Sequence, residues 1–339
     1  MSGSVFVSGA TGYIAQHIVK QLIEQGYRVV GSVRTIEKGE KLKKHLGSDN
    51  FGYEIVEDLS KEGVFDEPLK RHPETTIFLH TASPVNFGVD NCERDLIIPA
   101  LKGTTGALKA IKAHAPQIQK VVVTSSFAAI NSLASPRAIK EGTVNESSWT
   151  NITYEEAVQN NVCAYAGSKT LAERAAWEFL EKEKPKFSLT TVNPAYVLGP
   201  QAFDDYAKGQ LNFSAGIVSG LFGLKTDDPI PKYDGGFIDV RDVARAHITA
   251  MVSKQTDSKR LLLYEKRYTS QLILNILRDN FLFLHDRLPV GNPTDTNSKV
   301  TFEVDNTATR ELLTFPFISL EQSVIDSAKQ YLDVNNLGH

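Results

Sequence analysis

A glycine-rich turn set between a strand and a helix constrains this chain more than any other feature. Val5-Phe6-Val7 is a short apolar run, Ser8 to Gly12 is rich in turn residues, and Ile14, Ile18, Leu22 and Ile23 then recur at helical spacing. Gly26 ends that helix, and Tyr27 to Val33 resumes as a β-branched run. The opening residues predict strand, turn, helix, strand, the βαβ unit of a parallel sheet. Within the turn, Gly9-Ala10-Thr11-Gly12-Tyr13-Ile14-Ala15 reads GxxGxxA. Gly9 permits the tight turn, Gly12 lets a pyrophosphate approach the backbone, and Ala15 is small enough for close helix–sheet packing. The phosphates of a dinucleotide would meet the free N–H groups and the positive dipole end of the helix. A plain glycine turn is the alternative; its place at the first strand–helix junction favours the dinucleotide.

The alternation continues. Tyr53-Glu54-Ile55-Val56 and Thr76 to His80 read as strands, Leu101 to His114 as a helix, Lys120 to Thr124 as a buried strand, Tyr165 to Glu183 as a long helix and Leu189 to Val192 as another strand. Such alternation predicts an α/β fold, a Rossmann-type doubly wound parallel sheet covered on both faces. After Pro194 the pattern changes. Residues 202–231 are loop-rich, a strand-like Gly236-Phe237-Ile238-Asp239 and a helix Val243 to Met251 follow, and Ser319-Leu320-Glu321-Gln322 fits a capping box opening the last helix. The expected division is a dinucleotide-binding domain over 1–193, its sheet completed by later segments near 236–264, and a smaller substrate-covering C-terminal lobe over 194–339.

Composition excludes several classes. A formal net charge of -3 leaves no footprint for a polyanion, so nucleic acid is not an expected partner. No run approaches the roughly 20 apolar residues of a membrane span. Cys92 and Cys163 form no metal-ligand spacing, and two cysteines do not build a disulfide framework. No metal and a cytoplasmic location are expected. A monomer and a homodimer both remain open.

An NAD site usually places Asp or Glu near the end of the second strand, where it holds the ribose 2′-hydroxyl. Here that strand ends in Arg34, with Lys38 one helical turn on. Two cations suit a 2′-phosphate, so NADPH/NADP+ is expected rather than NAD. Asp58, after the third strand, is placed to accept from the adenine amino group or to close a turn, with Leu59 beside it on the cofactor path.

Tyr165-Ala166-Gly167-Ser168-Lys169 is a YxxxK pair, and on a helix positions i and i+4 share a face. A free phenol has a pKa near 10. An adjacent ammonium is expected to lower it, making Tyr165 a general acid in reduction and a general base in oxidation. The strand ending at Thr124 runs into Ser125-Ser126, beyond its carboxyl end, where ligands of such sheets sit. A hydroxyl there can donate to a substrate oxygen, and Ser126 is the preferred candidate.

Together these pieces resemble the extended short-chain dehydrogenase/reductase family, in the dihydroflavonol-reductase-like branch that also holds yeast NADPH-dependent methylglyoxal/isovaleraldehyde reductases. His80-Thr81-Ala82-Ser83-Pro84, Val192-Asn193-Pro194 and Phe237 to Ala244 carry the likeness alongside the motifs above. The resemblance implies a Ser126–Tyr165–Lys169 triad, with Lys169 also holding the nicotinamide ribose. It places Thr81, Ser83 and Thr124 along the cofactor path, Pro194 and Val197 beside the nicotinamide, and Ser214 at a phosphate. Asn131 falls at a substrate-binding position of dihydroflavonol reductases, although Phe127 departs from the Ala often found beside the serine there. Val85, Phe127 and Tyr196 are the implied pocket walls. Asp239 and Asp242 are read as caps of the following helix.

The expected reaction is reduction of an aldehyde, ketone, diketone or keto-ester by NADPH. Ser126 and Tyr165 would bind the carbonyl oxygen and Tyr165 would deliver the proton. Two rivals share the fold: a nucleotide-sugar epimerase or dehydratase with retained NAD, and a non-catalytic NADP-sensing regulator. Residues 202–231 are a candidate lid by composition.

Overall fold

A computed structural model describes residues 3–83, 88–209 and 211–337. The first half runs β1 (Ser4–Ser8), α1 (Tyr13–Glu24), β2 (Arg28–Val33), α2 (Ile36–Leu46), β3 (Phe51–Ile55), α3 (Asp66–Arg71), β4 (Thr75–His80), α4 (Ile98–His114), β5 (Lys120–Thr124), β6 (Thr143–Val144), α5 (Tyr154–Ala157), α6 (Asn161–Glu183) and β7 (Ser188–Pro194). The second half adds β8 (Tyr196–Leu198), α7 (Gly216–Leu221), β9 (Asp234–Asp239), α8 (Val240–Val252), β10 (Arg260–Leu263), β11 (Lys266–Thr269), α9 (Ser270–Asn280), β12 (Glu303–Val304), α10 (Thr307–Leu313) and α11 (Leu320–Val334).

Seven parallel strands form the main sheet in the order β10-β7-β5-β4-β1-β2-β3. The order reverses between β1 and β4, which opens a crevice beyond their carboxyl ends. β1 and β5, inside the sheet, are buried along nearly their whole length because both faces are covered, whereas the edge strand β3 is only partly buried. Along β1, Val5 and Val7 face the layer of α1 and α8. Phe6 faces the opposite layer, stacked on Phe78 at 5.1 Å and edge-on to Phe65 at 6.3 Å. Burying one such side chain contributes about 1.5–3 kcal/mol. In β5, Val121 and Val123 take the Phe6 side and Val122 the other, the same period of two.

The expected strand Gly236 to Asp239 exists but joins a different sheet. β9 pairs in parallel with β8 and antiparallel with β11 in a three-stranded layer. Within 236–264 only β10 extends the main sheet, through pairs such as Leu262 with Asn193. The small sheet has its own core, in which Phe237 and Tyr268 meet Leu274 and Leu277 of α9 and Val324 of α11. A further two-stranded piece pairs β12 with β6. The described residues of 202–231 are mostly irregular, broken by a short helical turn at Asp204–Tyr206 and by α7. Among the described residues no helix is long and apolar enough to cross a membrane.

Two capping expectations divide. Asp239 caps α8 by accepting from Arg241 N at 2.8 Å, and its buried carboxylate also pairs with the Arg241 guanidinium. Asp242 does not cap; its Oδ2 accepts from Ile318 N at 2.6 Å and anchors the approach to α11. At α11, Ser319 Oγ accepts from Gln322 N at 3.2 Å, but the Gln322 amide turns forward to Asp326 instead of back to Ser319, so only half of the capping box forms.

Candidate active site

The site is built on the turn after β1. Gly9 adopts φ +68, and a Cβ there would stand 2.9 Å from the Cβ of Ala82. Its N–H donates to Ser32 Oγ at 2.9 Å. Ser8 Oγ accepts from Thr81 N and Ala82 N, each at 3.1 Å, and meets His80 Nδ1 at 3.0 Å. One hydroxyl thus ties the ends of β1 and β4 across the point where the strand order reverses. Gly12 begins α1 with no side-chain cap, leaving the first turn's N–H groups facing the crevice.

A cleft of about 750 Å³ opens over these strand ends. At the end beside the glycine turn lie Thr11, Gly12, Tyr13, Ile14, Arg34, Thr81 and Ser83. Thr124, Ser126, Tyr165 and Lys169 follow at its centre, with Pro194, Val197 and Ser214 beyond. Phe127, Asn131 and Tyr196 line the far part. Gly9 stands behind the turn as its hinge. Lys38 is exposed in the first turn of α2, outside the lining. Asp58 is also outside it, and its carboxylate accepts from Ser60 N at 2.8 Å and Ser60 Oγ at 2.7 Å, the turn-closing alternative. These hydrogen bonds, helped by Arg34 and Lys61, hold Asp58 below the usual carboxylate range. Leu59 packs its side chain against Gly103 of α4. Val85 lies outside the described residues.

Tyr165 Oη donates to Ser126 Oγ at 3.3 Å. Ser126 Oγ also accepts from Ala128 N at 3.1 Å, so its own proton is not used by either contact. Ser125, the other candidate, turns away and donates to Glu173. Lys169 Nζ stands 5.9 Å from the centre of the Tyr165 ring. The expectation that an ammonium lowers the Tyr165 pKa is corrected. Burial raises it; the Ser126 hydrogen bond pulls the other way and the Tyr196 phenol adds to the rise. Burial also pushes Lys169 down to about 8. Burial is the leading cause at both groups, because a dry pocket disfavours each charged form.

The far walls are aromatic. Phe127 packs on Tyr264 at 5.9 Å and on Phe302 at 6.1 Å. Tyr196 sits edge-on to Tyr268 at 5.9 Å. Asn131 lines the cleft with its polar ends already engaged: Nδ2 donates to Ile139 O at 2.9 Å and Oδ1 accepts from Ile139 N at 3.0 Å. Sequence reasoning missed Tyr264, Phe213, Leu133 and Val162, which also line the cleft. Leu133 and Val162 are 54% and 61% exposed, apolar residues at a mouth instead of in a core. No short motif marks them. Glu173 and Asn193 were also missed, although one stands four residues after Lys169 and the other inside Val192-Asn193-Pro194.

A reversed parallel sheet, an uncapped glycine turn and a Tyr–Ser–Lys cluster over the same crevice define a dinucleotide-dependent enzyme class. The chain belongs to the NAD dependent epimerase/dehydratase family, whose model matches residues 5–262. Within it, the chain is 49% identical to a putative NADPH-dependent methylglyoxal reductase of Candida albicans over 98% of this chain and 99% of that one. It is 45% identical to the NADPH-dependent methylglyoxal reductase of Saccharomyces cerevisiae over 97% and 98% of the two chains. The crystal structure of yeast methylglyoxal/isovaleraldehyde reductase complexed with NADPH matches with a TM-score of 0.95 at 44% identity, covering 98% of this chain and 99% of that one.

Proposed function

We propose that this protein is an NADPH-dependent carbonyl reductase that converts aldehydes, ketones, diketones or keto-esters to alcohols, with Tyr165 as proton donor. The observation that carries this reading is the Tyr165–Ser126 contact at 3.3 Å, over the same cleft as the glycine turn and Arg34. The cofactor site fits on this chain's own geometry. A Cβ at Gly9 would collide with Ala82, the start of α1 is uncapped, and a guanidinium marks the end of β2. The turn would hold the pyrophosphate, Arg34 the 2′-phosphate and Lys169 the nicotinamide ribose. NADPH, when bound, supplies the hydride.

The chain's residues do the rest. Ser126 donates its free proton to the carbonyl oxygen and fixes its position. Tyr165, kept protonated by burial, gives its proton to that oxygen as negative charge develops. Lys169 keeps positive charge beside both. The aromatic walls exclude water and seat the carbonyl's apolar substituents. Cys92 and Cys163 are both free thiols, which supports a reducing, cytoplasmic setting. Partners are small carbonyl compounds, with no nucleic acid and no membrane, in a monomer or homodimer.

NADPH and NADH oxidation with a panel of hydrophobic aldehydes, ketones and diketones tests the reading, with Tyr165→Phe in parallel. Turnover preferring NADPH and reduced about 100- to 10,000-fold in the variant is the expected result. NADPH binding without turnover of any carbonyl would overturn it and favour the sensor; copurified NAD would favour the epimerase.

A further inference from the structure

We infer that Glu173 is a positioning residue for the reaction centre: acting through Ser125 and Asn193, its carboxylate fixes the peptide that carries Ser126 and thereby sets the Ser126–Tyr165 contact. This rests on the reading of Ser126 and Tyr165 given above. Glu173 lies one helical turn beyond Lys169 on α6 and is 1% exposed. Its Oε2 accepts from Ser125 Oγ and from Asn193 Nδ2 at 2.7 Å. Its Oε1 accepts from Arg260 Nε at 2.6 Å, Thr191 Oγ1 at 3.1 Å and Trp177 Nε1 at 3.3 Å. Asn193 Nδ2 reaches on to Ser126 O at 3.2 Å, and Ser125 N donates to Val192 O at 2.8 Å. One carboxylate therefore joins α6 to the ends of β5 and β7 and the start of β10, and brackets Ser126 from both sides.

A buried ion pair is weak evidence for stability, since well-packed apolar residues often serve as well. What this pair does that apolar packing would not is aim directional hydrogen bonds at one peptide. The contact it governs is long for O–H···O, so a small shift of Ser126 breaks it. A misplacement of about 1 Å can cost on the order of 100-fold in rate. The Tyr165 phenol faces Ser126 from the loop after β5, Lys169 from its own helix and Tyr196 from β8. Of these, Ser126 is the one that favours the phenolate, because its hydroxyl proton, unused in the contact with Ala128 N, can turn to donate to Tyr165 Oη once the phenol has lost its own. Loosening Ser126 therefore has a signature that general destabilisation lacks.

The test compares Asn193→Ala and Glu173→Gln with Ser126→Ala and Tyr165→Phe, following NADPH-dependent reduction and NADP+-dependent alcohol oxidation across pH. Asn193→Ala cuts the link to Ser126 while leaving Glu173 paired with Arg260, so it carries the test if Glu173→Gln does not fold. The expected result is a kcat lower by about 10-fold or more with an NADPH KM within about twofold of the parent. The rising limb of alcohol oxidation moves to higher pH, in the same direction as in Ser126→Ala. A limb unmoved in the folded variants, with kcat following only the folded fraction, would overturn the inference. If Tyr165→Phe abolishes turnover while Asn193→Ala behaves as the parent, the positioning role alone fails. If Tyr165→Phe keeps full turnover, the reaction centre itself has been misassigned and the inference falls with it.

Discussion

Replacing Gly9 by alanine separates two costs that usually arrive together. The backbone there has φ +68, a left-handed conformation that costs an L side chain about 1–2 kcal/mol. The new methyl would also meet Ala82 Cβ at 2.9 Å and Ala82 Cα at 3.0 Å. Ala82 cannot easily yield, because its N–H is held by Ser8 Oγ at 3.1 Å. Such overpacking costs about 1–3 kcal/mol. The total for Gly9→Ala is about 2–5 kcal/mol. Gly47, at the end of α2, supplies the control: its φ is +58 and nothing lies within 4 Å of a Cβ built there. Gly47→Ala should lose only the conformational part, about 1–2 kcal/mol. Urea unfolding of both variants, with and without NADPH, reads the difference. NADPH at about 100 times its Kd should stabilise the parent by about 2.7 kcal/mol. It should do the same for Gly47→Ala and clearly less for Gly9→Ala, because the displaced turn is the proposed phosphate cradle. Equal losses in the two variants, or an undiminished NADPH effect in Gly9→Ala, would refute the reasoning.

Other outcomes follow from the same geometry. Lys169 is charged below about 8 and loses its proton as pH rises through that value. The kcat/KM for NADPH, which reports the free enzyme, should therefore fall on the basic side near pH 8, and Lys169→Arg should carry that limb to higher pH. Arg34→Ala should weaken NADPH by about 1.5–3 kcal/mol while leaving NADH nearly unchanged, and Lys38→Ala, outside the cleft, should do less; competitive binding of the two cofactors measures both. Asn131→Ala should lower stability by about 1–3 kcal/mol by stranding the Ile139 backbone groups, with carbonyl KM in the folded enzyme little changed, as denaturation and steady-state kinetics would show.

The central strands were legible because burial on both faces demands apolar runs, and Val121 to Val123 is such a run. The glycine turn was legible because its spacing is a backbone requirement independent of distant partners. The destination of Gly236 to Asp239 was not: periodicity announces a strand but not which sheet receives it, and β9 lies among two strands as short as three and four residues. Ser126 turns to Tyr165 and Ser125 away from it, and the cause, a buried glutamate that claims Ser125, lies 48 positions along the chain. The Tyr165 pKa was misjudged for a related cause. YxxxK spacing announces a neighbouring ammonium, whereas desolvation depends on everything else that packs around the phenol. Asn131 shows the same limit, since a side chain already bonded to Ile139 looks identical in sequence to one awaiting a substrate.

The main sheet is closed by a strand that arrives late. β7 gains its outer neighbour only when Arg260–Leu263 is in place, and α8, made of residues 240–252, covers the face opposite β5 and β7. During synthesis the first 193 residues would therefore emerge with an open strand edge and a bare apolar face, poised to pair with other chains. The glycine turn, complete within the first dozen residues, must wait until Leu263 of the 339 residues before the sheet beneath it is finished. Capacity to bind cofactor should then appear abruptly late in translation, and nascent chains stopped before residue 260 should depend on chaperones to stay soluble.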